Sequence, residues 1–521
     1  MRTPMRYSRF ILFSGILTLS ACSFTPHVKA PEVVTEMPDT FVHTGNVASD
    51  DAGNDAGKNY APLRWWSSFE DPVLDRLIDS TLTSNLDLVE AVARVAEVRA
   101  QYRVERSALF PSLSATANGS FNDQPANSGF GAQFSALGGS GEAGGEGEEV
   151  PEAPSAPSRI SFENYSAGLN LAYEIDFWGR VKNSSRAALS DYFATESDLQ
   201  AARLAVINQT IQTYFEVVDL RRRIEFNVET IDVLTERVSR TQERYDRGLI
   251  TSFELYATLQ DYRNTQAGLP SLERQLVDAE GRLAVIIGKY AGHIDEILGD
   301  TLSPRFAGQY IPGGLPADLL NQRPDVRAAA ERLEAARYRV GARIAERYPT
   351  ISPSGTLGLQ SSGFEDLFDL SQWYVSLAAG ITAPLFQGGR LKANVEAAEA
   401  RYIQQAAGYT RTVLTAFQEA ESALAGMEEE QQRFAFLNGQ REEAQSAVDL
   451  QASRYENGVG EYLDYLDALR TFYNVETNLS GAARDLALAR LGVHRALGGG
   501  WVEGEINPTL KMVSNPLTGI E

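Results

Sequence analysis

The chain writes one supersecondary pattern twice. Gly179-Arg180 through Gly288 aligns with Gly389-Arg390 through Gly498 at a constant offset of 210 residues. "GRVK" meets "GRLK", Tyr192 meets Tyr402, and "RYDRGLITSFELYATLQ" at 244–260 meets "RYENGVGEYLDYLDALR" at 454–470. Upstream, "RSALFPSLSATANGS" matches "RIAERYPTISPSGTL" with the offset grown to 238, so the first copy holds 28 extra residues between Pro111 and Gly179. They fall in a Gly-rich, acidic insertion at 123–158 that lacks the apolar content of a packed core. Self-similarity on this scale means that each copy builds the same unit, and any fold must contain that unit twice. The repeats occupy 63–288 and 321–498, joined by a connector at 289–320 and followed by a tail at 499–521.

Each copy reads as a helix, two strand-like runs, a very long helix, a turn and a shorter helix. The first helices, "NLDLVEAVARVAEVRAQYRVERSALF" and "RPDVRAAAERLEAARYRVGARIAERY", are each stopped by a proline. From Val181 to Tyr245 no proline or clear stop occurs, which predicts a helix of roughly 65 residues and about 100 Å. Ile224, Ile231, Val238 and Tyr245 are spaced by sevens. So are Leu255, Tyr262, Leu269, Leu276 and Leu283 on the returning helix, and Tyr465, Phe472, Leu479, Leu486 and Val493 in the second copy. Sustained sevens predict coiled-coil-like packing; an antiparallel bundle that merely holds itself together reads the same way. Pro270 predicts a bend in the first returning helix, where the second copy has Ser480.

The strand runs alternate with period two. Tyr165, Ala167, Leu169, Leu171, Tyr173, Ile175 and Phe177 share one face, and Ser166, Gly168, Asn170, Glu174 and Asp176 make most of the other. In the second copy Trp373, Val375, Leu377, Ala379, Ile381, Ala383 and Leu385 alternate with Ser376, Gly380 and Thr382. This suits barrel strands with an apolar outside and a wet inside, though a half-buried strand of a soluble sandwich alternates similarly. Four strands cannot sit in a bilayer alone, because two open edges would leave backbone groups unpaired in hydrocarbon. A membrane barrel built from this chain is therefore shared between protomers, with strands in multiples of four.

The ends agree with a membrane destination. Arg2, Arg6 and Arg9 precede the short apolar run "FILFSGILTLSA", which predicts a signal peptide over 1–21. It closes in "LSAC", which resembles a lipobox, so Cys22, the single cysteine, is expected to carry covalent lipid at the head of an extended linker, 22–62. An ordinary signal peptide with a chance cysteine is the plainer alternative. Ser23 follows where an aspartate would resemble an inner-membrane retention signal, which points to the outer membrane. The formal charge of −22 becomes −25 without the three leading arginines and argues against nucleic acid as a partner. No later run of 18 apolar residues exists, so a membrane crossing must use strands.

Chemistry-bearing motifs are missing from the sequence. His27, His43, His293 and His494 are scattered, and no metal spacing, Walker loop or nucleophile elbow is present. "GRLAVIIGK" sets Gly281 and Gly288 too far apart for a P-loop, and "ASDDAGNDAG" needs no calcium to serve as a linker. The expectation is a non-enzyme with no cofactor beyond the lipid on Cys22. A lipid-anchored coiled-coil spacer without a channel remains open on these grounds.

"WWSSFEDPVLDRLIDSTLTSNLDL" (65–88), "YEIDFWGR" (173–180), "NQRPDVRAAAERL" (321–333), "APLFQGGR" (383–390), both turns and "ALGGGW" (496–501) resemble the TolC-like outer-membrane efflux factors of the OprM/NodT lipoprotein type. The likeness implies an α+β membrane protein: a homotrimer sharing a twelve-stranded antiparallel barrel, with a periplasmic coiled-coil tunnel and a mixed equatorial belt near 290–320 and beyond 501. It also implies an exit duct for small molecules, working with a periplasmic adaptor (membrane fusion protein) and an inner-membrane pump of the resistance–nodulation–division (RND) class. Type I protein secretion is the other duct function open to such a fold. By position, Leu463, Asp464, Asp467 and Arg470 match the stretch that narrows the periplasmic end. Tyr455 and Glu254 match latch positions, and Gly460 stands where some relatives carry a basic linking residue. The tips, Arg247, Gly248 and Leu249 with Asn457, Gly458 and Val459, are where the adaptor would be met. Only the second copy stacks Asp464 and Asp467 behind its turn, where the first has Glu254 and Ala257. Repeated by symmetry near an axis, such carboxylates would favour cations; as a solvated helix face they would do nothing.

Overall fold

The computed structural model describes residues 64–125, 159–299 and 322–499. Cys22, the signal and linker, most of the insertion at 123–158, the connector beyond 299 and the tail beyond 499 lie outside the described residues. A 3-10 turn at Trp65–Phe69 leads into α1 (Pro72–Ser84) and α2 (Leu86–Ser107). Strands β1 (Ser112–Pro125) and β2 (Arg159–Ala172) follow, then α3 (Arg180–Asp246), α4 (Ser252–Ile286) and the short α5 (Asp295–Leu298). The second repeat supplies α6 (Pro324–Ala345), β3 (Thr350–Ser361), β4 (Trp373–Thr382), α7 (Arg390–Glu456) and α8 (Tyr462–Ala496). The long helices are 67 residues in both copies and the returning helices 35 in both, so the repeat holds to the residue. Pro270 lies inside α4 without ending it. No described helix is long and apolar enough to cross a membrane.

The chain divides into two compact units. One, within 101–188 and 337–400, contains the sheet, with order β1-β2-β3-β4 and every pairing antiparallel. Leu113 pairs with Leu171, Leu169 with Leu357, and Leu357 with Val375, so the leucines and valine align on one face. The opposite face is polar and bonded across strands. Asn170 Nδ2 donates to Thr116 Oγ1 at 2.8 Å, Thr356 Oγ1 donates to Asn170 Oδ1 at 2.9 Å, and Gln360 Nε2 donates to Asn164 Oδ1 at 2.9 Å. Leu377 and Ile381 on the apolar face are 82% and 73% exposed, as residues of a lipid-facing surface are, and Ser376 and Gly380 on the other face of β4 are exposed as well.

Both apolar alternations run past the strands. β2 ends at Ala172, and Ile175 keeps only a bridge to Ile351. Tyr173 N donates to the Pro353 carbonyl at 3.1 Å, but Pro353 has no N–H to return, so the ladder loses its reciprocal bond there. β4 likewise stops at Thr382, two residues before Pro384.

The other unit, within 64–100, 189–299, 322–336 and 401–499, is a helical body with its core at the first motif. Trp65, Trp66 and Phe69 pack with Leu74, Leu77 and Ile78 of α1 against Ile207, Ile211 and Phe215 of α3, Leu283 of α4 and Leu491 of α8. Asp71 explains the "EDP" step. It caps α1 by accepting from Val73 N at 2.9 Å and Leu74 N at 3.2 Å, with Pro72 at the first helical position, and it accepts from buried Tyr214 Oη at 2.5 Å. The seven-spaced Ile224, Ile231 and Val238 are half-buried and Tyr245 is exposed. The fully buried positions of this stretch are Phe226, Leu234 and Thr241 instead. Ser480, at the place of Pro270, donates its hydroxyl to the buried Asp219 carboxylate at 3.1 Å, which Arg484 also meets at 2.9 Å.

Candidate functional site

Both turns are the same backbone object. Gly248 and Gly458 take φ of +70° and +72°, the left-handed region that glycine occupies without strain. Gly248 N donates to Tyr245 O and Leu249 N to Arg244 O, at 2.8 and 2.9 Å; Gly458 N and Val459 N do the same to Tyr455 O and Arg454 O at 2.9 Å each. This paired closure satisfies the last carbonyls of the long helix and reverses the chain in five residues or fewer. Leu249 and Val459, 65% and 70% exposed, stand at the two corners with exposed Arg247 and Asn457. Asn457 Nδ2 turns back to Ser453 O at 2.7 Å.

Behind the first turn, Thr251 caps α4. Its hydroxyl accepts from Glu254 N at 3.4 Å and donates to the Glu254 carboxylate at 3.3 Å. Within one protomer, then, Glu254 is engaged by its own helix start. The second turn has Glu461 in the capping place and no side-chain cap. Gly460 is sterically required: a Cβ there would lie 2.8 Å from the Arg454 Cβ.

Tyr455 is half-buried and its ring meets Tyr462 at 4.9 Å, which in turn meets Tyr465 at 6.1 Å. The Arg240 guanidinium covers Tyr462 at 4.5 Å and pairs with Glu236 at 3.0 Å. Burial first, then the neighbouring Glu236 carboxylate, pushes the Tyr462 phenol up to about 12. Leu463 is half-buried beside this cluster.

Of Leu463, Asp464, Asp467 and Arg470, two tie the hairpins together. Arg237 Nη1 of α3 donates to Asp467 Oδ1 of α8 at 3.0 Å, and Arg470 Nη1 of α8 donates to Asp261 Oδ2 of α4 at 2.6 Å. Arg237 is 15% exposed while Asp467 remains 56% open, so the arginine is the anchored member. Asp464 is exposed and has no ion-pair partner among the described residues. Arg237, Asp261, Arg240 and Glu236 were not singled out from sequence, yet the repeat carries their signal. Arg237 falls on Ala447 while Asp467 falls on Ala257, and Arg470 falls on Gln260 while Asp261 falls on Thr471. Charge is present in one copy where the other lacks it, in reciprocal pairs.

A four-stranded antiparallel sheet with one lipid-like face, joined in sequence to two long helical hairpins, defines the outer-membrane channel class. Residues 77–289 and 315–499 match the family model described as "Outer membrane efflux protein", and the chain belongs to that family. It is 31% identical over 495 residues to outer membrane protein OprJ of Pseudomonas aeruginosa, covering 94% of this chain and 95% of that one. It is 28% identical over 495 residues to the antibiotic efflux pump outer membrane protein ArpC of Pseudomonas putida, covering 93% and 94%. The solved CmeC outer membrane channel of Campylobacter jejuni superposes with a TM-score of 0.79 at 23% identity, covering 95% of this chain and 98% of that one, a likeness of fold. In this fold three protomers give four strands each to one twelve-stranded barrel, and the protein is the outer-membrane component of an efflux system.

Proposed function

We propose that the trimer is the exit duct of a tripartite efflux system, passively conducting small molecules and gated at the periplasmic helix tip. The observation that carries this reading is the pair of ion bridges, Arg237–Asp467 and Asp261–Arg470, which hold the second hairpin against the first just behind the turns. Asp464 and Asp467, repeated around the trimer axis, are rings of like charge that resist tight closure and favour cations. The arginines oppose that repulsion, and Leu463 supplies the apolar part of the constriction. Tyr455 and Glu254 are latch candidates toward a neighbouring protomer.

The name of ArpC supports small molecules as cargo. Arg247, Gly248, Leu249, Asn457, Gly458 and Val459 would receive the periplasmic adaptor, behind which an RND-class inner-membrane pump would deliver the substrate. Cys22 would anchor the protein in the outer membrane through its lipid. Asp464→Ala combined with Asp467→Ala removes the Arg237–Asp467 bridge, a loss that outweighs the relieved repulsion, and is expected to enlarge single-channel conductance in planar bilayers; unchanged conductance rejects the gate assignment. Co-purification of pump and adaptor from native membranes tests the partners.

A further inference from the structure

β4 is exposed along nine of its ten residues; Tyr374 alone is half-buried. It belongs to the polar face, two positions from Ser376, and its cross-strand partner on β3 is Gly358. Gly358 in turn pairs with Gly168 on β2. Although it belongs to the wet face, Gly358 is buried. A Cβ built on it would lie 3.2 Å from Tyr374 Cε1, 3.1 Å from Gly168 Cα and 2.7 Å from the Ala167 carbonyl oxygen. The tyrosine ring therefore rests on the bare backbone of Gly358. An added Cβ would press first on the Ala167 carbonyl and also on the ring, which would have to give way.

We propose that Gly358 sets the free bore of the barrel by letting Tyr374 lie flat on the inner wall. The polar face lines the lumen, since the leucine-bearing face is the one that suits lipid. A tyrosine at that height has few staggered choices: along the wall over a neighbour, or away from the wall into the lumen. With glycine beneath it the first is open, and the ring covers backbone that would otherwise face water, as aromatic side chains do over strand glycines. With a Cβ beneath it the ring stands up, once per protomer, and three rings converge near the outer mouth. Tyr374 and Gly358 are thus a size-determining pair for whatever passes, carried by strands and not by the helix tips. The inference rests on the barrel of the family and is independent of the proposed gate.

The test approaches from the cell surface, so the periplasmic end does not limit it. Ser352 lies on the same face of β3 as Gly358, nearer α6, and is exposed. Ser352→Cys places a thiol there, Cys22 being the chain's only other. Polyethylene-glycol maleimides of graded size are applied to intact cells. Gly358→Ala is expected to lower the size limit for labelling, with rates falling about tenfold for the largest probe that still enters. Gly358→Ala with Tyr374→Ala restores the original limit. Gly168→Ala, whose added Cβ meets backbone atoms of Leu357 and Gly358 first, serves as the strain control and leaves the limit unchanged. Tyr374→Ala alone, with both glycines kept, leaves it unchanged because the ring is already out of the way. A larger limit in Tyr374→Ala, or an unaltered one in Gly358→Ala, overturns the proposal. Failure of Gly358→Ala to form a trimer would mean that the glycine serves strand packing against Ala167 and not the ring, and also overturns the proposal.

Discussion

At the residue scale, the hairpin bridges show what a sequence can and cannot display. The turns were legible because a left-handed glycine after a long helix is a local signal. The bridges were not, because Arg237 and Asp467 stand 230 residues apart and Asp261 and Arg470 stand 209 apart; their meeting depends on how two hairpins are set side by side. Only the reciprocal alanines, Ala447 and Ala257, mark the pair. Arg237→Asp is expected to raise conductance several-fold, because it sets a second acid against Asp467. Adding Asp467→Arg restores the low-conductance state and reduces cation preference, as read from reversal potentials. Failure of the swap to restore closure would mean that the bridge does not hold the end shut. A second residue governs acid stability. His494 is 5% exposed, stacks on Trp65 at 4.8 Å and has no hydrogen bond at Nε2 among the described residues. Burial, then the Arg490 charge, lowers its pKa from 6.5 to about 4. The unfolded chain therefore binds a proton that the folded one refuses between those values. Stability is whole above pH 6.5 and falls as pH drops toward 4, by about 3 kcal/mol at most. His494→Phe keeps the stack and should flatten the decline in apparent Tm of detergent-solubilised trimers between pH 7 and 4.5.

At the element scale, the repeat conserves jobs more strictly than residues. Asn85 begins α2, accepting from Leu88 N at 3.0 Å, and its amide donates to the Ile286 carbonyl at the end of α4 at 2.8 Å. The corresponding position in the second copy is Arg323, whose Nη1 donates to the Ala496 carbonyl at the end of α8 at 3.1 Å. Different side chains thus tie equivalent helix starts to equivalent helix ends, which explains why "SNLDL" and "NQRPDV" recur in place without matching. The glycines that follow α3 and α4 also share a conformation while differing in surroundings. Gly248 and Gly288 have nearly equal φ, +70° and +69°, but a Cβ at Gly248 meets nothing within 4 Å whereas one at Gly288 would lie 2.4 Å from the Ser84 carbonyl oxygen. Gly248→Ala is expected to cost about 1 kcal/mol, from left-handed strain alone. Gly288→Ala adds a backbone collision and should cost about 3 kcal/mol or more. Equal losses of trimer Tm in the two variants would contradict this division.

At the scale of the whole molecule, the unpaired edges of a four-stranded sheet make an oligomer necessary on physical grounds, but only the family supplies its number. The strand alternation was legible, and its overshoot past Ala172 and Thr382 came from reading side chains without the prolines that interrupt backbone pairing. The assignment of faces carries most of the molecular consequence, because lipid and lumen are a single residue apart on every strand. Leu377 and Ser376 are adjacent in β4, the first 82% exposed on the apolar face and the second paired with Thr356 on the polar face. An arginine on a lipid-facing position near the bilayer middle costs about 2–4 kcal/mol, and symmetry repeats that cost in every protomer. Leu377→Arg should therefore abolish the heat-modifiable trimer in outer-membrane fractions, while Ser376→Arg assembles normally and alters ion selectivity instead. The reverse outcome would place the leucine face inward. It would also remove Tyr374 from the lumen, so this pair of variants bears on the bore as well as on the barrel.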